Sequence, residues 1–194
     1  MTMIKTMYRA VYGMTFFLLI LSNTVRAQEF NLVNKSSTMT VLGTSSLHDW
    51  EIDAEEQSGK IVFNDLEAAE LGQCQVQVVA ESLKSGKSSM DKNTYKALNT
   101  KKYKRIYFEL AEVKESTRKG DGSYAVSAMG DLTISGVKKR IPLQFSLQID
   151  GDKITLTGEK SLKMTDFKVE PPTALLGTIT TGDEVTIKFT TVFQ

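Results

Sequence analysis

In 194 residues the chain has one cysteine, one histidine, one tryptophan and three prolines. Each scarcity excludes something. A lone thiol, Cys74, cannot close an internal disulfide. One His and one Cys are poor material for zinc, which takes several such ligands, so no metal site is expected. His48 is the only candidate base. It has no Gly-x-Ser-x-Gly elbow to serve, and next to Asp49 on a strand the two side chains would point to opposite faces. No glycine loop is suited to cradling phosphate, and no cofactor is expected. Neither sign of charge dominates, with 24 basic and 23 acidic residues, which argues against nucleic acid as a partner. Catalysis is therefore not expected.

The chain also lacks an apolar run long enough for a comfortable helical membrane span. The longest, Thr15 to Leu21, follows Lys5 and Arg9 and precedes Val25-Arg26-Ala27. That is the layout of a secretory signal peptide cut after Ala27. No Cys follows the site, so a lipid anchor is not expected. Residues 1–27 are read as the signal peptide and 28–194 as a single domain, periplasmic or secreted. The removed piece takes Lys5, Arg9 and Arg26 with it and no acid, leaving 21 basic residues against 23 acidic, a net of −2.

What is present is alternation. Apolar residues recur every second position over most of 39–193, the period of half-buried strands. In Leu47 to Ala54 the residues His48, Trp50, Ile52 and Ala54 share one face. Asp49, Glu51 and Asp53 share the other. Cys74, Val76 and Val78 follow, Cys74 reading as a buried, inert thiol, and then Ile106, Phe108 and Leu110. Tyr124 to Ile134, Ile141 to Ile149 and Ile154 to Leu162 read as a meander, with turn signals at Ser135-Gly136 and Asp150-Gly151. Val185, Ile187, Phe189 and Phe193 close the series. Two regions break the period. Ser88 to Asn99 reads as a short helix, capped by Ser88 or Ser89 with Asp91 three residues on. Met90, Thr94, Ala97 and Leu98 lie on one face of it. Asp166 to Asp183, with Pro171-Pro172 and Leu175-Leu176, is too long for a turn; it either folds over an opening or docks its leucines on the core.

One short helix cannot cover an apolar sheet face, so the sheet must close on itself. The expected fold is all-β: an extended antiparallel up-and-down barrel of about eight strands, with one short helix near 88–99. An outer-membrane barrel fits less well, because the polar faces carry Asp49, Glu51, Asp53 and Glu109 and no aromatic girdles mark the strand ends. With the apolar face inward, the lining comprises His48, Trp50, Ile52, Val76, Phe108, Leu110, Leu132, Phe145 and Leu156, with Met90 and Leu98 from the helix and Phe167 after the last meander strand. These side chains either fill the barrel as a packed core, making it a structural or interaction module, or surround an apolar ligand. Burying hydrocarbon yields roughly 0.8 kcal/mol per methylene. Lys160 falls in phase with the apolar face, and a bulge turning it to solvent is the preferred reading.

Several segments together resemble one family. Gly130-Asp131-Leu132-Thr133-Ile134-Ser135-Gly136-Val137-Lys138-Lys139 is similar to the Gly-x-Leu-Thr-Ile-x-Gly-Val-Thr-Lys segment of the YceI-like periplasmic proteins. Ser58 to Phe63, Lys102 to Phe108 and Asp166-Phe167 resemble further segments of it in the same order. The resemblance implies a lipocalin-like barrel that binds a polyisoprenoid or isoprenoid quinone, often as a homodimer. An isoprenoid-type lipid is thus the expected partner, with transient membrane contact. Lys104 stands where that family often has Pro, and Lys168 where Gly often follows Phe.

Overall fold

The computed structural model describes residues 27–174 and 177–194. The expected signal peptide up to Arg26, and Leu175-Leu176, lie outside the described residues. Among the described residues, twelve strands and one α-helix form: β1 (Gln28–Asn31), β2 (Thr38–Ser45), β3 (Trp50–Ala54), β4 (Gln57–Asp65), β5 (Glu70–Val79), β6 (Leu83–Lys84), α1 (Ser88–Leu98), β7 (Arg105–Gly120), β8 (Ser123–Ile134), β9 (Val137–Asp150), β10 (Lys153–Lys163), β11 (Thr173–Ala174) and β12 (Ile179–Phe193). The fold is all-β and antiparallel, as the alternation implied, but with twelve strands rather than about eight.

The difference has a local cause. The sheet runs β1-β4-β5-β7-β8-β9-β10-β12-β2-β3-β6, and its two ends are joined by the chain itself. β1 and β2 are one run interrupted by a 3-10 turn at Asn34–Ser36, and β5 and β6 one run interrupted at Ala80–Ser82. β3 and β4 are parted only by the corner at Glu55-Glu56. Backbone hydrogen bonds carry the pairing across these breaks. Asn31 and Gln194 exchange two, Val33 N donates to Val192 O at 2.8 Å, and Glu55 N donates to Ser82 O at 3.0 Å. A strand bent this sharply loses its ladder for two or three residues, so one long strand is divided into two short ones.

The curled sheet encloses one interior, and its two ends differ. At the end that holds the β9–β10 hairpin, Phe63, Leu147, Ile154 and Phe193 have no accessible surface. Phe30 meets Phe63 edge-on, with ring centroids 6.3 Å apart. That end is a solid plug. At the other end β9 and β10 part company. Their pairing runs from Lys153↔Asp150 to Gly158↔Phe145 and stops there. The chain leaving β10 turns back through a 3-10 turn, Met164–Phe167, and buries Phe167 and Val169 against Leu132 and Ile134. An ion pair between Lys139 and Asp166, 3.1 Å long, holds its edge. α1 lies across this same end.

α1 begins differently from the expectation. Its N-cap residue is Lys87, and no side chain caps it. Asp91 instead reaches backward and accepts from both the amide (2.8 Å) and the hydroxyl (2.6 Å) of Ser85. The carboxylate satisfies the approach to the helix rather than its first turn. These bonds to Ser85 also hold the Asp91 carboxyl below its usual range.

Candidate functional site

Between the plug and α1 lie two adjoining cavities. The outer one, about 330 Å³, is roofed by α1 and walled by β2, β3, β12 and the segment from Leu162 to Thr173. The inner one, about 110 Å³, runs down the axis between β5, β7, β8, β9, β10 and β12. Met39, Val78, Ile106 and Ile187 line both, so the two spaces adjoin along one apolar wall.

The structure distributes the sequence-derived candidates between them. His48, Trp50, Ile52, Met90, Leu98 and Phe167 line the outer cavity. Val76, Phe108, Leu110, Leu132, Phe145 and Leu156 line the inner one. The register explains the grouping: Val76 faces Phe108, which faces Leu132, so three strands bring one apolar row to the same face. Ile52 stands opposite Val41 in the same way. The helical spacing of Met90, Thr94, Ala97 and Leu98 puts all four over the outer cavity. Met39, Val41, Ile106 and Ile187 were missed as lining. Ile106 and Ile187 have the same period-2 phase as residues that were chosen; what the sequence did not show was which strand ends face the hollow and which face the plug.

His48 is not on a strand. It is exposed in the turn between β2 and β3, at the rim of the outer cavity. Ser45 builds that turn: its hydroxyl donates to His48 O at 2.7 Å and accepts from the amides of Leu47 and His48. His48 Nδ1 lies 2.6 Å from the carbonyl oxygen of Asp49, so this nitrogen carries the proton. Trp50 begins β3. Its indole N–H donates to Thr44 O at 2.9 Å. Its ring lies against Gly43 across the strand pair, where any Cβ would collide with it. The glycine lets the indole lie flat on the wall and leaves the cavity open beside it.

The preferred placement of Lys160 is corrected. No bulge turns it outward: β10 pairs with β12 without a register shift, and Lys160 stands opposite Ile187. Its side chain lines the inner cavity, just past the point where β9 leaves β10. Cys74 sits in the same wall. It is buried, and desolvation pushes its thiol up to about 12.

The two cavities offer apolar space closed at the plug and fringed at the other end by Ser45, His48, Lys87, Ser89 and Asn93. Such a surface can hold hydrocarbon and present a polar group at the rim. Among the described residues no three His, Cys, Asp or Glu side chains come together as a metal site.

Comparison with known structures gives the same fold. BcnA of Burkholderia cenocepacia superposes with a TM-score of 0.66 at 20% identity, covering 83% of this chain and 98% of that one. A polyisoprenoid binding domain from Saccharophagus degradans gives 0.67 at 15% identity, covering 85% and 97%. The YCEI protein of Campylobacter jejuni gives 0.56 at 21% identity, covering 73% and 82%. No curated protein matches the sequence. The YceI-like domain model matches residues 25–193, which takes in every strand described above. The chain belongs to the YceI-like family.

Proposed function

We propose that this protein binds and carries a long apolar lipid, a polyisoprenoid or isoprenoid quinone, in the space between the plug and α1. The observation that carries the proposal is that two cavities adjoin along a shared, largely apolar wall. Burial of a chain of about twenty carbons there would contribute over about 10 kcal/mol gross, before association costs are subtracted. The polyisoprenoid binding of a structural neighbour supports the same ligand class. A binding role rather than a catalytic one agrees with His48 standing at a rim, its Nδ1 spent on a backbone carbonyl. The layout of residues 1–27 supports export, so the carrier would work in the periplasm or outside the cell.

The test is native mass spectrometry of protein purified from an exported preparation, followed by extraction and identification of the adduct. A stoichiometric isoprenoid-type lipid is expected. Trp50, the only tryptophan, provides a second readout, because a ligand entering the outer cavity must alter its emission. Protein that carries no adduct from any host, and whose Trp50 emission ignores added quinone, would refute the proposal. The solid packing of Phe63, Leu147, Ile154 and Phe193 favours one rival, a filled structural module. Leu156→Trp separates the two: it overpacks and destabilises a filled interior but is accommodated in a hollow one.

A further inference from the structure

The charge of this chain is unevenly placed. Residues 84–105 contain eight Lys or Arg and one acid, Asp91, a local net of +7. With residues 1–27 set aside, the rest of the domain carries a net of −9, from 13 basic against 22 acidic residues. The stretch is α1 and the loop that follows it, so the excess sits beside the opening of the outer cavity.

Little of this charge is neutralised by ion pairs. Asp91 is engaged with Ser85. Lys84 is bonded to the Tyr95 hydroxyl at 2.6 Å. The other seven cations are exposed, and among the described residues none has an ion-pair partner. Lys92, Lys96 and Lys101 line one hollow on the outer side of α1, together with a single acid, Glu81, which accepts a hydrogen bond from Thr100. Lys87 stands on the rim of the cavity itself. Favourable interaction with the helix C-terminus accounts for Lys96 alone. Lys92 and Lys96, one turn apart, repel each other in the free protein. Beside them Leu47, in the β2–β3 turn, is 66% exposed and lines the same opening.

We infer that the outer face of α1 and the loop after it dock this protein onto an anionic membrane surface, with the cavity mouth set at the lipid headgroups. The surface rests on the carrier reading: a carrier of a water-insoluble lipid has to load and unload at a bilayer, and the helix that carries the charge is the one whose other face roofs the cavity. Each lysine near an anionic leaflet adds to the attraction, and salt screens it. Leu47 enters the interface as an apolar contact.

The experiment is vesicle co-sedimentation of the whole mature protein. Vesicles of phosphatidylglycerol and phosphatidylcholine are compared with phosphatidylcholine alone, at about 50 and about 500 mM salt. The patch variant is K92E/K96E/K101E. The control, K114E/K119E/K153E, makes the same change in charge away from α1. Wild type and control are expected to bind the anionic vesicles at low salt and to release them at high salt. The patch variant is expected to bind at least about tenfold more weakly. Equal binding of the patch variant and wild type, equal binding to neutral vesicles, or preference for a short DNA duplex over the vesicles would each overturn the inference. Lys96→Glu alone, with the wild-type salt dependence, decides the matter if the triple variant does not fold. Native mass spectrometry of the same samples separates the two proposals. Lipid-loaded protein indifferent to the patch refutes the docking surface only, and vesicle-bound protein that never holds a lipid refutes the carrier.

Discussion

Gly130 offers the sharpest test of whether the inner cavity is used. It faces inward on β8, opposite Leu110, and the ring of Phe108 lies where its Cβ would be. The missing side chain is what lets that ring lie flat against the wall. Gly130→Val forces the ring off the wall and into the inner cavity. A cavity of roughly 150 Å³ admits benzene, and the inner cavity measures about 110 Å³, so a displaced phenyl ring takes most of it. The ligand would forfeit about three to four methylenes of burial, or about 3 kcal/mol at roughly 0.8 kcal/mol each, equivalent to about 100-fold in affinity. Overpacking should cost about 1–3 kcal/mol of stability as well. The assay is titration of Trp50 fluorescence with an isoprenoid quinone, alongside adduct occupancy by native mass spectrometry and urea unfolding. Trp50 lines the outer cavity and not the inner one, so it reports the change without being part of it. Gly130→Val with Phe108→Ala should recover binding, because removing the ring reopens the space; the two changes must couple. A folded Gly130→Val protein with unchanged affinity and occupancy would refute the reasoning.

Three further outcomes follow from the geometry. Asp131 accepts two hydrogen bonds from Arg140, at 2.8 and 3.0 Å; these, with Lys138 nearby, hold its carboxyl down at about 2. That is below the unfolded value of about 3.9, so the contribution is complete above about pH 4 and is lost as pH falls through about 2. Asp131→Asn should therefore lower the urea midpoint at pH 6, with the gap to wild type closing toward pH 2; a gap independent of pH would contradict this. Lys168 adopts φ +57° after the 3-10 turn, a left-handed conformation that costs a side chain about 1 kcal/mol and glycine little. Lys168→Gly should raise stability by up to about 1 kcal/mol in thermal or urea unfolding, and a clear loss would show that the Lys168 side chain contributes more than this strain costs. The buried Cys74 thiol, raised to about 12, should react with a thiol reagent at pH 8 only as the fold opens, so that labelling speeds up in step with urea unfolding; rapid labelling of native protein would count against the packing described.

The alternation made much of the fold legible. A period of 2 cannot be satisfied without a sheet, and one short helix cannot cover that sheet, so the pattern alone dictates closure around an interior. The inward sets on β8 and β9 read correctly because nothing interrupts the period within either strand, from Tyr124 to Ile134 and from Ile141 to Ile149. Breaks in the ladder were not legible. The corners at Asn34–Ser36, Glu55-Glu56 and Ala80–Ser82 depend on strands meeting partners far away in sequence, so they appeared only as weak irregularities of pattern. The period of Trp50 and Ile52, extrapolated to His48, runs two residues too far; the Ser45 hydrogen bonds that end β2 override it. The cost of a cation on an apolar face points Lys160 outward, whereas the unbroken register with β12 keeps it in line.

What the sequence by itself determined is the class of interior: apolar, enclosed by strands, with one histidine and one tryptophan near its edge. Period and composition set that, because each strand face must match its surroundings along its whole length. Only the tertiary structure decided where the interior is solid and where it is hollow. Phe63, Leu147, Ile154 and Phe193 have the same phase and chemistry as Phe108, Phe145 and Leu156, yet the first set packs to zero exposure while the second borders open space. The difference lies in which strands converge. The β9–β10 hairpin end stays paired and closes, whereas beyond Gly158 the two strands separate, the Met164–Phe167 turn packs between them, and α1 roofs the outer cavity. Burial pattern is a local property of each strand; the distance between opposite walls belongs to the closed sheet as a whole.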